Sequence, residues 1–238
     1  MTTSQFPIAA PSMAPRAVRV RSRSERARRV LNVVVAAIGL LVLTPVMLLV
    51  AGLVFLTSRG PVIYTQTRVG LDRRCRDRRT GRRAGAGRRD SDQGGCPFVI
   101  YKFRTMRCDH RPGNQVWASP DDPRITTVGR ILRKYRIDEL PQLWNVLLGD
   151  MNIVGPRPEQ PRIFAQLRDE VDRYPERQRV RPGITGWAQI NHHYDASIAD
   201  VERKVAFDLE YVGRQSTLED LRIMARTFPV IMFKRGGW

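Results

Sequence analysis

The stretch that decides the fold is KYRIDELPQLWNVLLGDMNIVGPRP, residues 134–158. Two adjacent carboxylates, Asp138 and Glu139, follow a run of basic residues and stand at the start of a predicted helix. Pro141 is tolerated in a first helical turn and Gly149 is a natural stop, so these two residues set its predicted ends. Acids at a helix start among arginines indicate chemistry on a phosphorylated substrate.

The composition limits the classes of protein that this chain can belong to. Its 238 residues suffice for one catalytic domain with additional segments, and a hydrophobic fraction of 42% is enough for a core. Lysine and arginine number 41 against 23 acidic residues, for a net charge of +18, which predicts an anionic partner. The three cysteines lack framework spacing and paired CxxC knuckles, which argues against a disulfide-stapled secreted protein and against a zinc site.

A long apolar stretch between Arg29 and Arg59 contains no charged residue and predicts a membrane segment. A straight helix over this stretch would be about 43 Å long, whereas the hydrocarbon core of a bilayer is about 30 Å thick. Pro45 lies at its middle and predicts a kink, and the hydroxyl of Thr44 can bond a backbone group that the kink frees. The stretch can be a straight span with a tolerated proline, a signal anchor, or a hairpin that enters and leaves on one side.

The charges on both sides of the apolar stretch favour the hairpin. Arginines precede it within 16–29 and follow it from Arg59 onward, and the positive-inside rule places both ends in the cytoplasm. A single span would place its two ends on opposite sides of the membrane. We therefore interpret 16–59 as a basic lead-in at the lipid headgroups followed by a re-entrant membrane helix kinked at Pro45, which makes anionic membrane lipids a predicted partner.

The rest of the chain divides by composition. Residues 1–15 lack periodicity and are predicted to be disordered, and 60–238 form the predicted catalytic domain. Within that domain the Arg- and Gly-rich segment 72–95 is predicted to be a flexible insertion, either a solvated linker or a clamp on lipid headgroups. It has no interleaved aromatic residues for base stacking, so nucleic acid is not an expected partner.

Hydrophobic periodicity predicts an α+β domain that is mainly helical. The predicted strands lie within 60–70 and 97–106, and the predicted helices are 125–136, 138–148, 160–175, 197–212 and the amphipathic, interfacial 217–234.

The residues around Asp138 suggest a specific chemistry. A helix N-terminus stabilises negative charge, so Asp138 should stay ionised, and Arg133 and Arg136 can lower its repulsion from a diphosphate. A divalent cation bridging carboxylate and phosphate oxygens would do so more strongly. An ionised Asp138 could then attack phosphorus and form an acyl phosphate, with Glu139 as a metal ligand, a proton acceptor or an orienting group. The alternative is an acidic N-cap that only balances the helix dipole.

The chain resembles the bacterial sugar transferases, the small monotopic phosphoglycosyl transferases that load a sugar phosphate onto polyprenyl phosphate. The resemblance runs from about Arg29 to the C-terminus and rests on the motifs KFRTM, IDELPQLWNVL, GDM, GPRP and RPGITGWAQ in this order. Members of the family carry a re-entrant helix broken at a proline after a small hydroxyl residue, which Thr44 and Pro45 match. This chain has His192-His193 where many relatives have Gly-Arg, a variant similar to transferases of exopolysaccharide systems.

The resemblance implies roles for individual residues. It makes Asp138 the covalent nucleophile, assisted by Glu139 and a magnesium ion that both acids would bind. It implies that three cations bind the substrate phosphate, namely Lys102, Arg133 and Arg157. By a looser match, it also implies that Asp208 belongs to the active-site network.

The reaction implied is ping-pong. Asp138 would take the sugar phosphate from a UDP-sugar and release UMP, and polyprenyl (undecaprenyl) phosphate would then leave as polyprenyl diphosphate sugar. The enzyme would start an exopolysaccharide or glycoconjugate on the cytoplasmic face of a bacterial inner membrane, as a monotopic protein whose oligomeric state stays open. Two rivals remain: a membrane adaptor that binds anionic lipid or nucleic acid, and a membrane phosphohydrolase that uses the same acids.

Overall fold

The computed structural model describes residues 22–72, 94–107, 122–192 and 197–232. Several predictions concern residues outside these ranges. They are the disorder of 1–15, the first part of the basic lead-in, the flexibility of nearly all of the insertion 72–95, and the variant residue His193.

The described chain is mainly helical with small sheets, as predicted. Its elements, in chain order, are α1 (Ser22–Thr57), β1 (Ile63–Val69), β2 (Pro97–Phe103), α2 (Thr127–Lys134), a first 3-10 helix (Ile137–Glu139), α3 (Gln142–Leu148), β3 (Asn152–Val154), α4 (Pro161–Glu170), a second 3-10 helix (Tyr174–Arg179), β4 (Gly183–Thr185), α5 (Trp187–Asn191), α6 (Ile198–Arg214) and α7 (Thr217–Met232).

Two small sheets place the residues that precede and follow the site. Strands β1 and β2 pair antiparallel, with Tyr64 opposite Lys102, and confirm the two predicted strand regions. Strands β3 and β4 pair in parallel, with Val154 opposite Thr185. The Gly-Pro-Arg-Pro turn leaves β3 directly, so Arg157 projects from a point fixed by this second sheet.

The predicted single helix over 138–148 is wrong in its first part. Residues 137–139 form a 3-10 helix, and α3 begins only at Gln142. Pro141 has no N–H, so the α-helical bond from residue 141 to 137 cannot form, and the N–H groups of Glu139 and Leu140 bond three residues back. Gly149 does end the helix, in the left-handed conformation (φ 91°) that glycine adopts without strain.

Helix α1 has 36 residues and stays helical through Pro45. The Thr44 hydroxyl donates to the carbonyl of Leu40, one residue before the carbonyl that a proline at 45 frees. In the part of the chain that is described, α1 is the one helix long and apolar enough to cross a membrane, judged by length and composition.

Both halves of α1 pack on the same domain. Ala36, in the first half, is fully buried in a core cluster with Val146 and Val154. Val50 and Val54, in the second half, are buried in another cluster that also contains Phe103 and Leu132. The opposite face of α1 is exposed and apolar, with Val34, Ile38, Leu41, Val42, Leu48, Leu49, Phe55 and Leu56.

Polar contacts fasten the first turns of α1. Arg28 is buried and donates to Asp220 Oδ2 (2.8 Å) and to the Tyr211 hydroxyl (2.6 Å). Arg29 donates to the carbonyls of Val146 (2.6 Å) and Leu147 (2.8 Å) at the end of α3. Arg28 and Arg29 are therefore engaged by the domain, whereas the sequence interpretation placed them at the lipid headgroups.

Candidate active site

The first 3-10 helix carries the two adjacent acids into the interior. Asp138 and Glu139 are 8% and 6% exposed. The preceding Arg136 adopts the left-handed conformation (φ 53°, ψ 23°), which a residue with a side chain rarely takes. Its carbonyl accepts from the N–H of Glu139 (3.1 Å), so this strained residue opens the 3-10 helix and holds both acids next to α2.

Glu139 is held on one side by two cations. Lys102 Nζ (2.9 Å) and Arg157 Nη2 (3.0 Å) both donate to Glu139 Oε1. Burial alone would raise the pKa of Glu139, but Arg157, Lys102 and Arg136 together lower it well below its usual range. The carboxylate therefore stays ionised at any physiological pH.

The second oxygen of Glu139 is in a different state. Glu139 Oε2 is buried, and within the described residues it has no hydrogen-bond partner. Arg136 Nη1 lies 3.9 Å from this oxygen, beyond hydrogen-bond distance. A buried carboxylate oxygen without a partner is costly, and it suits a site that a ligand completes.

Asp138 is less tightly held than its neighbour. Burial and the charge of Glu139 raise its pKa, while Lys102, Arg157 and Arg133 act in the opposite direction. The sequence predicted that a helix N-terminus would keep Asp138 ionised. The structure replaces that helix by a 3-10 turn, and desolvation is now the largest influence on the pKa. A desolvated carboxylate without strong hydrogen bonds is well suited to act as a nucleophile.

Arg133 approaches the site from α2. Its Nε donates to Thr105 Oγ1 (2.9 Å), and its charge acts on Asp138. This approach depends on Gly129, because a Cβ atom there would lie 2.0 Å from the carbonyl oxygen of Thr105. The glycine lets α2 lie directly on the backbone that follows β2.

Asp208 does not touch the two acids. It is buried on α6 and binds Arg177, whose Nη2 lies 2.7 Å from Asp208 Oδ2. Arg177 is fully buried, and it also donates to the Tyr174 hydroxyl (2.8 Å) and to the carbonyl of Arg157 (3.1 Å). Among the described residues, hydrogen bonds link Asp208 to the site through Arg177 and the backbone of Arg157.

The structure consequently contains two neighbouring ionic clusters. We call Asp138, Glu139, Lys102, Arg136 and Arg157 the Glu139 cluster. We call the second set the Arg177 cluster; it consists of Arg177, Asp208, Tyr174, Glu159 and Lys204, with Lys204 Nζ 2.9 Å from Glu159 Oε1. Burial alone would raise the pKa of Glu159, but Lys204 and Arg177 lower it to about 2.

The sequence-predicted residues therefore separate into three places. The structure brings Lys102, Arg157, Asp138 and Glu139 together and places Arg133 beside Asp138. It puts Asp208 in the second cluster, and it places Thr44 and Pro45 on the exposed part of α1. Sequence reasoning missed Arg177 and Glu159, because neither is distinguished from the many surface charges by any periodicity.

A narrow polar pocket opens beside the Glu139 cluster. Its lining includes Arg68, Lys102, Gln142 and Arg157. Arg68 is fixed by donation to the carbonyl of Pro158 (3.1 Å) and to Gln66 Oε1 (2.7 Å). Three cationic side chains around one opening can bind an anion such as phosphate.

The acids also fit a substrate-borne magnesium ion. Among the described residues there is no group of three or more His, Cys, Asp or Glu side chains that could hold a metal by themselves. Magnesium is usually bound by one or two carboxylates together with substrate phosphates. The open oxygen of Glu139 and the adjacent Asp138 could supply that number of ligands.

Comparison with known proteins gives a consistent family. The family model for bacterial sugar transferases matches residues 23–234. The chain is 38% identical over 205 residues to the UDP-N-acetylgalactosamine-undecaprenyl-phosphate N-acetylgalactosaminephosphotransferase of Aeromonas hydrophila, covering 86% of this chain and 43% of the relative. It is also 38% identical over 202 residues to the UDP-glucose:undecaprenyl-phosphate glucose-1-phosphate transferase of Escherichia coli (strain K12), covering 84% of this chain and 39% of the relative.

A third relative is closer to this chain in length. The UDP-glucose:undecaprenyl-phosphate glucose-1-phosphate transferase of Caulobacter vibrioides is 37% identical over 207 residues, which cover 86% of this chain and 69% of the relative. The chain thus spans less than half of the first two relatives and about two thirds of the third. The names give N-acetylgalactosamine as the sugar of the first relative and glucose as that of the other two, but they share the acceptor.

Proposed function

Because the chain belongs to the bacterial sugar transferase family, we propose that it transfers a sugar 1-phosphate from a UDP-sugar to undecaprenyl phosphate. The printed names of its relatives describe this reaction for those proteins. The observation that carries the proposal is the Glu139 cluster, in which a weakly held acid lies beside an ionised acid and several cations.

The first half-reaction uses Asp138 as the nucleophile. A carboxylate oxygen of Asp138 bonds to the sugar-bearing phosphorus of the UDP-sugar, and the bond from that phosphorus to the bridging oxygen breaks. UMP leaves with the bridging oxygen and its electron pair. The sugar's own C1–O bond stays intact, so the sugar phosphate remains on Asp138 as an acyl phosphate.

The second half-reaction returns the enzyme to its starting state. A phosphate oxygen of undecaprenyl phosphate attacks the same phosphorus, and the Asp138 carboxylate leaves. The product is undecaprenyl diphosphate sugar, the starting unit of an exopolysaccharide or another glycoconjugate. Another relative, from Sinorhizobium fredii, is named an exopolysaccharide production protein, which supports this pathway class.

The cations around the acids make the attack possible. Two anions repel one another, so Asp138 can approach a diphosphate only if the phosphate charge is compensated. Lys102, Arg157 and Arg133 are placed to do this, and Lys102 and Arg157 also keep Glu139 in one position. A bound magnesium ion, held by Asp138 and Glu139 Oε2, would supply further neutralisation of the diphosphate.

We also propose that the protein is monotopic on the cytoplasmic face of the inner membrane. Arg28 and Val54 are both buried against the domain although 26 residues of helix, about 39 Å if straight, separate them. A straight span would carry one of these residues across a core of about 30 Å, away from a domain on the other side. A re-entrant α1 that bends near Pro45 keeps both contacts and leaves its exposed apolar face for lipid.

Cysteine labelling tests this topology. Cys75, Cys96 and Cys108 are first replaced by serine, and Arg26→Cys or Arg59→Cys is introduced singly, both at exposed positions. We expect a membrane-impermeant maleimide to label both variants in inverted vesicles and neither in spheroplasts. Labelling of the two variants from opposite sides would show a straight span.

The catalytic proposal is tested by UMP release from a panel of UDP-sugars. Purified protein in nanodiscs is assayed with magnesium, with and without undecaprenyl phosphate, as wild type and as Asp138→Asn. Sustained UMP release that requires both the lipid and Asp138 is expected. Turnover without the lipid would instead indicate a phosphohydrolase, and no release from any donor would favour the adaptor.

A further inference from the structure

Two buried polar atoms of residues next to Arg136 have no hydrogen-bond partner among the described residues. Oε2 of Glu139 is one, and Nε2 of Gln189, on α5, is the other, when all described residues are considered. Arg136 lies between them, with Nη1 3.4 Å from Gln189 Oε1 and 3.9 Å from Glu139 Oε2. Glu139 Oε2, Arg136 and the Gln189 amide therefore make long contacts with one another or none. Glu139 Oε1, in contrast, accepts two short hydrogen bonds, from Lys102 and Arg157.

The orientation of the Gln189 amide follows from Arg136. A guanidinium can only donate hydrogen bonds, so the amide atom that faces Arg136 must be the oxygen. Nε2 is then directed elsewhere and needs an acceptor, which no described residue supplies. Leaving a buried donor unmatched costs free energy, so this arrangement favours a ligand that brings an acceptor.

The backbone of Arg136 adds a second, independent observation. Arg136 holds a left-handed conformation that costs free energy for any residue with a side chain. Its guanidinium is 25% exposed and lies 3.9 Å from Glu139 Oε2 and 3.4 Å from Gln189 Oε1. Backbone strain persists where the surrounding structure requires it, and such positions cluster at ligand sites.

We propose that Arg136 and Gln189 form a second phosphate subsite on the Oε2 side of Glu139, opposite Lys102 and Arg157. This proposal rests on the proposed function and deepens it. The subsite would take a phosphate oxygen of the nucleotide donor, with Arg136 supplying charge and Gln189 Nε2 a directed hydrogen bond. The diphosphate would then be held between two cationic walls, with Asp138 free to attack.

Direct binding of UDP tests the subsite without turnover. Isothermal titration with UDP and magnesium is made on Asp138→Asn protein, alone and combined with Arg136→Gln, Gln189→Leu or Arg130→Gln. Arg130 is an exposed arginine on α2 and provides the matched control. We expect Arg136→Gln to weaken UDP binding about tenfold, Gln189→Leu about fivefold, and Arg130→Gln less than twofold.

Two further readouts separate binding from a structural role. With Asp138 intact, Arg136→Gln should raise the KM for the UDP-sugar about tenfold while the KM for undecaprenyl phosphate stays unchanged. If Arg136 only supported the backbone, its loss would lower the melting temperature and kcat without changing UDP affinity. Should Arg136→Gln fail to fold, Gln189→Leu carries the same comparison.

The outcomes also separate this inference from the catalytic proposal. UDP affinities equal to that of the Arg130→Gln control in both variants would overturn the subsite, even if wild-type protein releases UMP as proposed. Weakened UDP binding in a protein that releases no UMP would support the subsite and overturn the transferase.

Discussion

The Glu139 cluster and the Arg177 cluster are neighbours, and both bury charged side chains, but they differ in how completely those charges are bonded. Arg177 binds Asp208, Tyr174 and the carbonyl of Arg157, and Glu159 binds Lys204. Glu139 keeps one buried oxygen that has no partner among the described residues. A fully bonded buried cluster stabilises one arrangement of the chain, whereas an incompletely bonded one has capacity for a ligand.

The largest effect should come from the incompletely bonded side. We expect Asp138→Asn to lower turnover by about a thousandfold or more, because the amide cannot attack phosphorus. Its stability should be equal to or above that of wild type at neutral pH, because the raised pKa means that folding disfavours the Asp138 charge. UMP release and thermal unfolding measure the two quantities.

The matched control for this variant is Asp172→Asn, at an exposed aspartate. It should keep wild-type turnover and stability. A substantial loss of stability in Asp138→Asn would show that the Asp138 charge stabilises the fold. It would contradict the view that the Glu139 cluster is the incompletely bonded one.

The next largest effect should come from the fully bonded side. Arg177→Met removes a fully buried cation and leaves the buried Asp208 without the side chain that bonds it. We expect a loss of about 3–5 kcal/mol of unfolding free energy. Arg179→Met, in the same 3-10 helix, should cost less than about 0.5 kcal/mol because its side chain is exposed. Denaturant unfolding in detergent distinguishes them, and equal losses would contradict the argument.

These two clusters also show what the sequence could predict of the site. Asp138 and Glu139 were found because adjacent acids among cations form a recognisable motif, and Lys102 and Arg157 were found through the resemblance to the family. The structure places these four residues together. Arg177 was not found. It stands among the arginines of ERQRVR, and its burial results from the packing of α6 on the second 3-10 helix, which no local pattern encodes.

The fold shows the same division between local and long-range causes. The strands around β1 and β2 and the end of α3 at Gly149 were predictable, because alternation and glycine are local signals. The 3-10 turn at Asp138 was not, because it depends on a left-handed Arg136 that the sequence does not announce. The burial of Arg28 was also missed, since its partner Asp220 lies 192 residues away.

The acid dependence of stability should come from the Arg177 cluster. The pKa of Glu159 falls from 4.5 to about 2 on folding, so its charge stabilises the fold above pH 4.5 and this contribution is lost as pH falls towards 2. The shift corresponds to about 3 kcal/mol. Glu159→Gln should therefore be about 3 kcal/mol less stable at pH 7, and by pH 3 the difference should shrink to about half or less.

Unfolding curves of wild type and Glu159→Gln over this pH range check the prediction. Glu176→Gln is the control, because that acid is only partly buried and pairs with arginines at the surface. A difference that stays constant from pH 7 to 3 would mean that the charge of Glu159 is not what stabilises this cluster.

The smallest effect should come from Arg157, which belongs to the Glu139 cluster and links it to the Arg177 cluster. Its side chain donates to Glu139, and its carbonyl accepts from Arg177. A lysine at position 157 retains the backbone carbonyl and the positive charge but lacks the planar guanidinium. Arg157→Lys should therefore lower kcat/KM for the UDP-sugar about tenfold. Stability should change by less than about 1 kcal/mol, because the bond to Arg177 is retained. If Arg157→Lys instead loses as much stability as Arg177→Met, the two clusters act as one unit, and the open oxygen of Glu139 no longer marks a separate, ligand-dependent part of the site.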